Sequence, residues 1–222
     1  MAEHGMMFRA ELVRAILSGR KTETRRLLVP SAVCVVDRAT GKRVPRPEGL
    51  GDLLTRAHVS TWEGAPSLDL PLHPHLVALP RVQARDALWV RETWGPCDVH
   101  ADGCDREDPV CVRYAADGAA WRFDGEPGGV PLETTFWPNG PDGGKWRPAV
   151  HLPRWACRLV LPVVEVRVER LCRLTDDDAR AEGCESCDDF ARLWDSLAPA
   201  GATWAANPLV LVYRWEPVGG VR

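Results

Sequence analysis

The chain has 222 residues, of which 28 are Lys or Arg and 31 are Asp or Glu, so its formal net charge is −3. This length is enough for one large domain with a substantial core. No apolar run approaches the roughly 20 residues that a membrane helix needs, and the start MAEHGMMFRA lacks the hydrophobic stretch of a secretory signal. We therefore expect a soluble, cytoplasmic protein that has no membrane partner.

The small net charge conceals an uneven distribution along the chain. Residues 1–46 contain ten Lys or Arg against four Asp or Glu, a balance of +6. Residues 97–126 contain three against eight, a balance of −5. Because phosphates attract cations, a nucleic-acid partner is expected to contact the first region and to avoid the second.

The first predicted element is a helix over residues 8–18, where apolar side chains recur at helical spacing. Gly19 predicts the end of this helix, since glycine accepts the left-handed backbone that often terminates one. The apolar face consists of Phe8, Leu12, Val13, Ile16 and Leu17.

Directly after this helix, residues 19–26 form the polar run GRKTETRR. Such a cluster is costly to bury and is suited to binding an anionic or nucleobase-like ligand. Lys21 and Thr24 are three residues apart, an offset that places them on opposite faces of a regular strand. If they act together, the backbone here is not a plain strand. The alternative is a solvated basic edge formed by Arg20, Lys21, Arg25 and Arg26.

The middle of the chain predicts strands separated by long insertions. Residues 29–80 are rich in Pro and Gly and predict loops with short strands. Residues 88–94 alternate as a strand whose apolar face includes Glu92, so this carboxylate either lies in a polar pocket or contradicts the choice of inner face. The glycine-rich stretch 117–145 predicts no regular structure.

The last third of the chain predicts two strands and two helices. The alternation of Val164, Val166 and Val168 indicates a strand within residues 158–171, with Pro162 at a bulge or edge. A capping box from Thr175 to Asp178 begins a helix over 176–182 that Gly183 ends, and a second helix follows around Phe190 to Leu197, capped by Asp188 or Asp189. Residues 209–215 predict the final strand.

This order of elements predicts an α+β, mainly β fold. Strands interleave with a few short helices and show no regular βαβ rhythm, which favours a β-barrel decorated with short helices and long loop insertions. We expect one domain over residues 1–222, with insertions at about 29–80 and 97–145.

Five segments of the chain have distinctive sequences: GRKTETRR at residues 19–26; LWVRETW at 88–94; WRP with HLPRWA at 146–156; LT through AEG at 174–183; and LWDS with Asn207-Pro208. Together they resemble the long, phage-associated branch of the ASCH domain family. The resemblance implies a PUA-like β-barrel, the fold of a group of RNA-binding domains. The usual Gly-Asp before the second of these segments is here Arg85-Asp86, which puts the geometry of that turn in doubt.

The resemblance also implies an activity. The ASCH family includes a bacterial amidohydrolase that removes the acetyl group from N4-acetylcytidine, with a lysine, a threonine and a glutamate as its proposed catalytic set. The matching residues here are Lys21, Thr24 and Glu182.

The chemistry of these residue types is consistent with such a role. A threonine hydroxyl becomes a nucleophile when a base takes its proton, and a lysine is such a base only if desolvation or a nearby cation lowers its pKa. A glutamate then protonates the leaving amine or activates water. Glu23 and Glu92 compete with Glu182 for this role, and Glu182 as a solvated helix-surface carboxylate is the structural alternative.

The partner is expected to be a modified nucleoside or a nucleic acid, RNA rather than DNA. A module that binds without catalysis, holding phosphates with its basic residues and stacking a base on a tryptophan, is the main alternative, and a nuclease is a third. The candidate stacking residues are Trp89, Trp94, Trp146 and Trp155. The expected substrate-binding residues are Arg20, Arg25, Arg26, Glu92, Arg147, His151 and Arg154.

The eight cysteines raise the question of a metal. Typical ASCH domains need none, so no cofactor is expected. A zinc site is the alternative, formed either by one acidic loop or by two of its cysteines together with the CxxC motif. The candidates are Cys97, His100, Cys104 and Cys111 in the loop and Cys184 and Cys187 in the motif.

Overall fold

A computed structural model describes residues 1–96, 110–123, 129–132 and 146–218. The protein is α+β and mainly β, as the sequence predicted. The strands are β1 (Glu3–Met7), β2 (Glu23–Leu27), β3 (Val33–Asp37), β4 (His58–Trp62), β5 (Ala65–Asp69), β6 (Leu76–Pro80), β7 (Ala87–Arg91), β8 (Trp94–Pro96), β9 (Val110–Tyr114), β10 (Ala120–Phe123), β11 (Val130–Leu132), β12 (Val160–Arg170) and β13 (Leu209–Trp215).

Four α-helices accompany these strands within the described residues: α1 (Ala10–Leu17), α2 (Leu50–Thr55), α3 (Asp176–Ala181) and α4 (Cys187–Asp195). Single turns of 3₁₀-helix lie at Pro30–Ala32, Ala149–His151, Arg154–Ala156 and Leu171–Arg173. None of the described helices combines the length and apolar character needed to span a membrane. The described strands form open sheets, and none of these sheets closes into a barrel.

The chain divides into two compact units. Unit 1 comprises Met1–Gly19, Ala87–Pro162 and Val218–Arg222, and unit 2 comprises Arg20–Asp86 and Val163–Pro217. Strand β12 contributes its first three residues to unit 1 and the remainder to unit 2.

Unit 1 contains α1 and two groups of strands. Strand β7 pairs in parallel with β1 and antiparallel with the first residues of β12, and β8 to β11 form an antiparallel sheet in the order β11-β10-β9-β8. Strands β10 and β11 lie within residues 117–145, so the prediction that this stretch lacks regular structure was wrong there. The reason is that Trp121 and Phe123 provide buried aromatic anchors. The core around them contains Trp94, Val112, Tyr114, Trp121, Phe123, Leu152 and Ala156.

Unit 2 contains the antiparallel strands β12, β13 and β2, and a second sheet in the order β3-β6-β5-β4. The second sheet and α2 lie within residues 29–80, where the sequence predicted short strands and missed the helix. Helices α3 and α4 share a core with strand β13, built from Leu171, Leu174, Ala179, Phe190, Val210 and Val212.

The helix ends largely follow the capping chemistry of the sequence. Helix α1 ends before Gly19, which has a φ of 73°. Helix α3 begins with the predicted capping box between Thr175 and Asp178. Helix α4 is capped by the Ser186 hydroxyl, which accepts a hydrogen bond from the Asp189 N–H, so the prediction of an aspartate cap was wrong by two or three residues.

Candidate functional site

Lys21 lies between α1 and β2 and is buried, with 1% of the residue exposed. Its Nζ donates to the backbone oxygen of Glu23 at 2.7 Å, to the backbone oxygen of Glu182 at 2.8 Å and to Glu182 Oε2 at 2.5 Å. An ammonium group has three N–H donors. Three close acceptors therefore hold the amine in one position, in contact with the buried Glu182 carboxylate.

The end of α3 brings Glu182 to this lysine. Glu182 is the C-cap residue of α3, and Gly183 follows it with a φ of 90° that ends the helix. The Thr22 N–H donates to the Ala181 oxygen at 2.8 Å, which fixes the helix end against the segment that carries Lys21. Lys21 in turn satisfies the Glu182 carbonyl, one of the acceptors that a helix end leaves without an internal partner.

The second oxygen of the Glu182 carboxylate faces strand β2. Glu182 Oε1 accepts a hydrogen bond from the Arg25 N–H, which belongs to the peptide that joins Thr24 to Arg25. Thr24 is buried and stands opposite Tyr213 in the pairing of β2 with β13. The structure thus brings the Lys21 amine and the Glu182 carboxylate into contact beside the Thr24 backbone. Lys21 precedes the strand and Thr24 lies within it, so the offset of three residues spans the start of β2.

Arg25 connects this pair to a larger group of charges. Its side chain is fully buried and donates to Glu23 Oε1 at 2.6 Å and to Glu169 Oε1 at 2.8 Å, with Glu182 Oε1 at 3.5 Å. Arg167 contacts both oxygens of Glu23 at 2.8 and 2.9 Å. We call this group the ion-pair cluster; it comprises Lys21, Glu23, Arg25, Arg167, Glu169, Asp178 and Glu182.

Arg167, Glu169 and Asp178 were not predicted from the sequence as members of this cluster. The sequence of β12 does contain an indication of buried charge, because the polar positions of this strand are all charged. A central strand normally buries one face against apolar neighbours. Which charges they meet depends on β2 and α3, which are distant in the chain. Periodicity therefore could not name the partners.

Burial sets the protonation tendencies at the site. Desolvation lowers the pKa of Lys21 below its ordinary value; Glu182 opposes this shift and Arg26 adds to it. Burial also lowers the pKa of Arg26, against the opposing charge of Glu182. The Cys184 thiol lies near both Lys21 and Glu182, and its pKa is raised, first by burial and then by the glutamate. The pKa of Lys21 is thus lowered, which is the change that a lysine needs in order to act as a base.

A cavity of about 430 Å³ lies next to these residues in the chain. Its lining includes Arg20, which precedes Lys21, and Gly183 and Cys184, which follow Glu182. Arg180 and Glu185 complete the lining. Of the predicted substrate-binding residues in unit 2, Arg20 is exposed at this cavity, Arg25 is buried in the ion-pair cluster and Arg26 is half-buried.

The other predicted substrate-binding residues belong to unit 1. Glu92 is buried, and it receives two hydrogen bonds from Arg158 at 2.9 and 2.8 Å. The guanidinium of Arg158 also lies 4.1 Å from the centre of the Tyr114 ring. Glu92 therefore forms a buried ion pair with Arg158. Of the two alternatives that the sequence left open for Glu92, this is the polar pocket.

Arg147, His151 and Arg154 have different environments within unit 1. Arg147 is exposed, and its guanidinium lies 4.9 Å from the centre of the Trp94 ring. His151 is exposed in a 3₁₀ turn. Arg154 forms a two-point ion pair with Glu3 at 2.6 and 2.9 Å.

The candidate stacking tryptophans differ in access. Trp94 is buried in the core of unit 1, and Trp155 packs against that core. Trp146 is 40% exposed, and Trp89 lies beneath the guanidinium of Arg91 at 5.1 Å. Of these four residues, Trp146 is exposed, Trp89 and Trp155 are half-buried and Trp94 is buried, so Trp146 has the most access for base stacking.

Three of the zinc candidates, Cys97, His100 and Cys104, lie outside the described residues. Cys111 is buried in β9, and Cys184 and Cys187 are free thiols at the junction of α3 and α4. Among the residues that the structure describes, no group of three or more His, Cys, Asp or Glu side chains is arranged to hold a metal ion.

Comparison of the chain with protein-family models, with curated proteins and with solved structures gave no match. The assignment to the ASCH family therefore stays a prediction from the sequence motifs.

Proposed function

We propose that this protein is an ASCH-type, PUA-like nucleoside- or nucleic-acid-binding protein and that it removes an acyl group from N4-acetylcytidine or a related modified base. The proposal is supported above all by the buried contact of 2.5 Å between Lys21 Nζ and Glu182 Oε2. These two residues are 161 positions apart, and they are the lysine and glutamate that the motif resemblance nominates.

In the proposed reaction, the Lys21 amine, in its neutral form, takes the proton of the Thr24 hydroxyl. Thr24 Oγ1 then adds to the carbonyl carbon of the acyl group and forms a tetrahedral intermediate. The C–N bond breaks, and the base amine leaves with a proton from Lys21 or Glu182. Water, activated by Glu182, hydrolyses the threonine ester and releases the carboxylic acid. The lowered pKa of Lys21 favours the first of these steps.

A non-catalytic binding module is the second candidate, and the hydrogen bonds of Lys21 favour it. The three acceptors of the amine within the described residues are protein atoms, which is the arrangement of a charged structural lysine. In this case the cavity beside Arg20 and Arg180 binds the modified base, and the ion-pair cluster only supports the wall of the cavity.

The test is acetate release from N4-acetylcytidine by the wild-type protein and by Thr24→Ala. Thr22→Ala is the matched control, since it removes a threonine hydroxyl from the same run while the hydrogen bonds of Thr22 to Ala181 and Trp215 use its backbone. We expect turnover by the wild type and by Thr22→Ala and at least a 100-fold loss in Thr24→Ala, the order of magnitude of a positioned catalytic group.

Glu182→Gln tests the proton-transfer role while it keeps hydrogen-bonding capacity at the same position. Binding of N4-acetylcytidine without acetate release by any form of the protein would establish the binding module instead. Cleavage of labelled RNA by the wild type but not by Glu182→Gln would establish the nuclease. Circular dichroism of each variant verifies that it is folded.

A further inference from the structure

A second cavity in unit 2 is lined by residues of the sheet formed by β3 to β6 and of the segments next to its strands. The proposed function does not use this cavity. Its volume is about 650 Å³, within the range of roughly 300 to 1,000 Å³ that small-molecule sites occupy. It is lined by Arg38, Arg56, His58, Asp69, Leu70, Pro71, Pro74 and Leu76. One part of the lining is therefore polar and mostly basic, and the other is apolar.

The polar part is organised around Asp69, the last residue of β5. Asp69 Oδ1 accepts hydrogen bonds from Arg38 Nη2 and from the Ser60 hydroxyl, the latter at 2.9 Å. The backbone N–H of Arg38 donates to the His75 oxygen at 2.9 Å, so both ends of the arginine are held. A guanidinium has five N–H donors, and the single contact with Asp69 leaves most of them for a ligand.

Arg56 and His58 complete the basic side of the cavity. Arg56 follows α2, and His58 begins β4 opposite Asp69 in the pairing with β5. Within the described part of the chain, the side chains of Arg56 and His58 take part in no hydrogen bond or ion pair. Two guanidiniums and one imidazole thus surround a single carboxylate, which leaves an excess of positive charge over the cavity.

We propose that this cavity binds a small phosphate ester. Arginine guanidiniums match the oxygens of a phosphate group, and an imidazole adds a further donor. The organic portion of the ligand lies against Leu70, Pro71, Pro74 and Leu76, which form the apolar wall. The site belongs to residues 29–80 and is independent of Lys21, Thr24 and Glu182.

The test uses adenosine 5′-monophosphate, adenosine and inorganic phosphate as probes in calorimetric titrations of the full chain. We expect the nucleotide to bind and both adenosine and inorganic phosphate to bind at least about tenfold more weakly, since each lacks one half of the recognised chemistry. Arg56→Ala and His58→Ala should each weaken nucleotide binding by about fivefold to tenfold. Both side chains are exposed, so these variants should keep the wild-type melting temperature.

Arg46→Ala is the matched control, because Arg46 is an exposed arginine in the same segment that does not line the cavity. It should bind the nucleotide as the wild type does, and so should Thr24→Ala, which separates this site from the proposed catalytic one. No nucleotide binding at millimolar concentration would overturn the proposal, as would an equal loss in Arg46→Ala. Binding of single-stranded RNA that depends on Arg56, without nucleotide binding, would show a polynucleotide surface instead and would also overturn it.

Discussion

At the scale of single residues, this protein places ionisable side chains where water cannot reach them. The contact between Lys21 and Glu182 and the contact between Glu92 and Arg158 are both nearly inaccessible. Removing an ion from water costs several kcal/mol, and only close, well-directed partners offset that cost. Such pairs are weak evidence for stability. They are better evidence that the paired side chains are held in defined positions.

The difference between buried and exposed pairs gives the first prediction. The side chains of Arg158 and Glu92 are 2% and 1% exposed, whereas those of Arg154 and Glu3 are 29% and 40% exposed. Arg158→Leu leaves the Glu92 carboxylate buried without its partner and should lower the free energy of unfolding by about 3–5 kcal/mol. Arg154→Ala should lower it by about 1 kcal/mol or less.

Urea titrations of the two variants, followed by circular dichroism, measure these losses. Equal destabilisation by the two substitutions would show that burial does not distinguish the pairs. The double variant Glu92→Leu with Arg158→Leu removes both charges and should recover much of the stability that Arg158→Leu loses.

At the scale of elements, the turn before β7 contains an unfavourable backbone. Arg85 has a φ of 76°, in the left-handed region that glycine adopts without steric cost. Its N–H donates to the Val163 oxygen at 2.8 Å, and the Asp86 oxygen accepts a hydrogen bond from the Val163 N–H at 2.8 Å. The turn is thus held by β12 in a conformation that glycine adopts more readily than arginine.

The second prediction follows from this strain. Arg85→Gly removes the clash of a Cβ atom in the left-handed region, worth about 1–2 kcal/mol, and costs about 0.4–1 kcal/mol in the entropy of the unfolded chain. We expect a net stabilisation of up to about 1.5 kcal/mol, seen as a higher urea midpoint. Arg85→Ala retains the Cβ atom and should leave the midpoint nearly unchanged, so an equal gain in both variants would contradict the strain argument.

At the scale of the whole molecule, folding buries both tyrosines of the chain. Burial raises the pKa of Tyr213 to about 12, a shift that the nearby Arg26 opposes. Burial also raises the pKa of Tyr114, and Glu92 adds to that shift. The folded protein therefore retains two phenolic protons at a pH where the unfolded chain has begun to release them.

The third prediction concerns alkaline pH. The near-ultraviolet absorbance of tyrosinate should stay flat through pH 10, the ordinary pKa of tyrosine, and rise only near pH 12 or on unfolding. Because the folded state binds more protons than the unfolded state in this window, stability should fall as the pH rises from about 10 through about 12. A spectrophotometric titration checks this, and a transition near pH 10 in folded protein would contradict the burial of these side chains.

The sequence by itself determined several of the elements. Helix α1 and its stop at Gly19, the capping box of α3, and strands β12 and β13 follow from local periodicity and capping, which act over a few residues. Alternation placed Glu92 on the apolar face of its strand but left open whether it lies in a polar pocket. Strands β10 and β11 were not predicted, because the aromatic residues that anchor them lie in a glycine- and proline-rich stretch that is typical of a loop.

Only the tertiary structure decided which charges meet. Arg167 and Glu169 are ordinary polar positions of a strand until β2 and α3 place Arg25, Glu23 and Asp178 beside them. The contact of Lys21 with Glu182 joins residues 161 positions apart, and no local pattern carries that information. The physical reason is that electrostatic interactions depend on distance and burial, and both are properties of the folded chain.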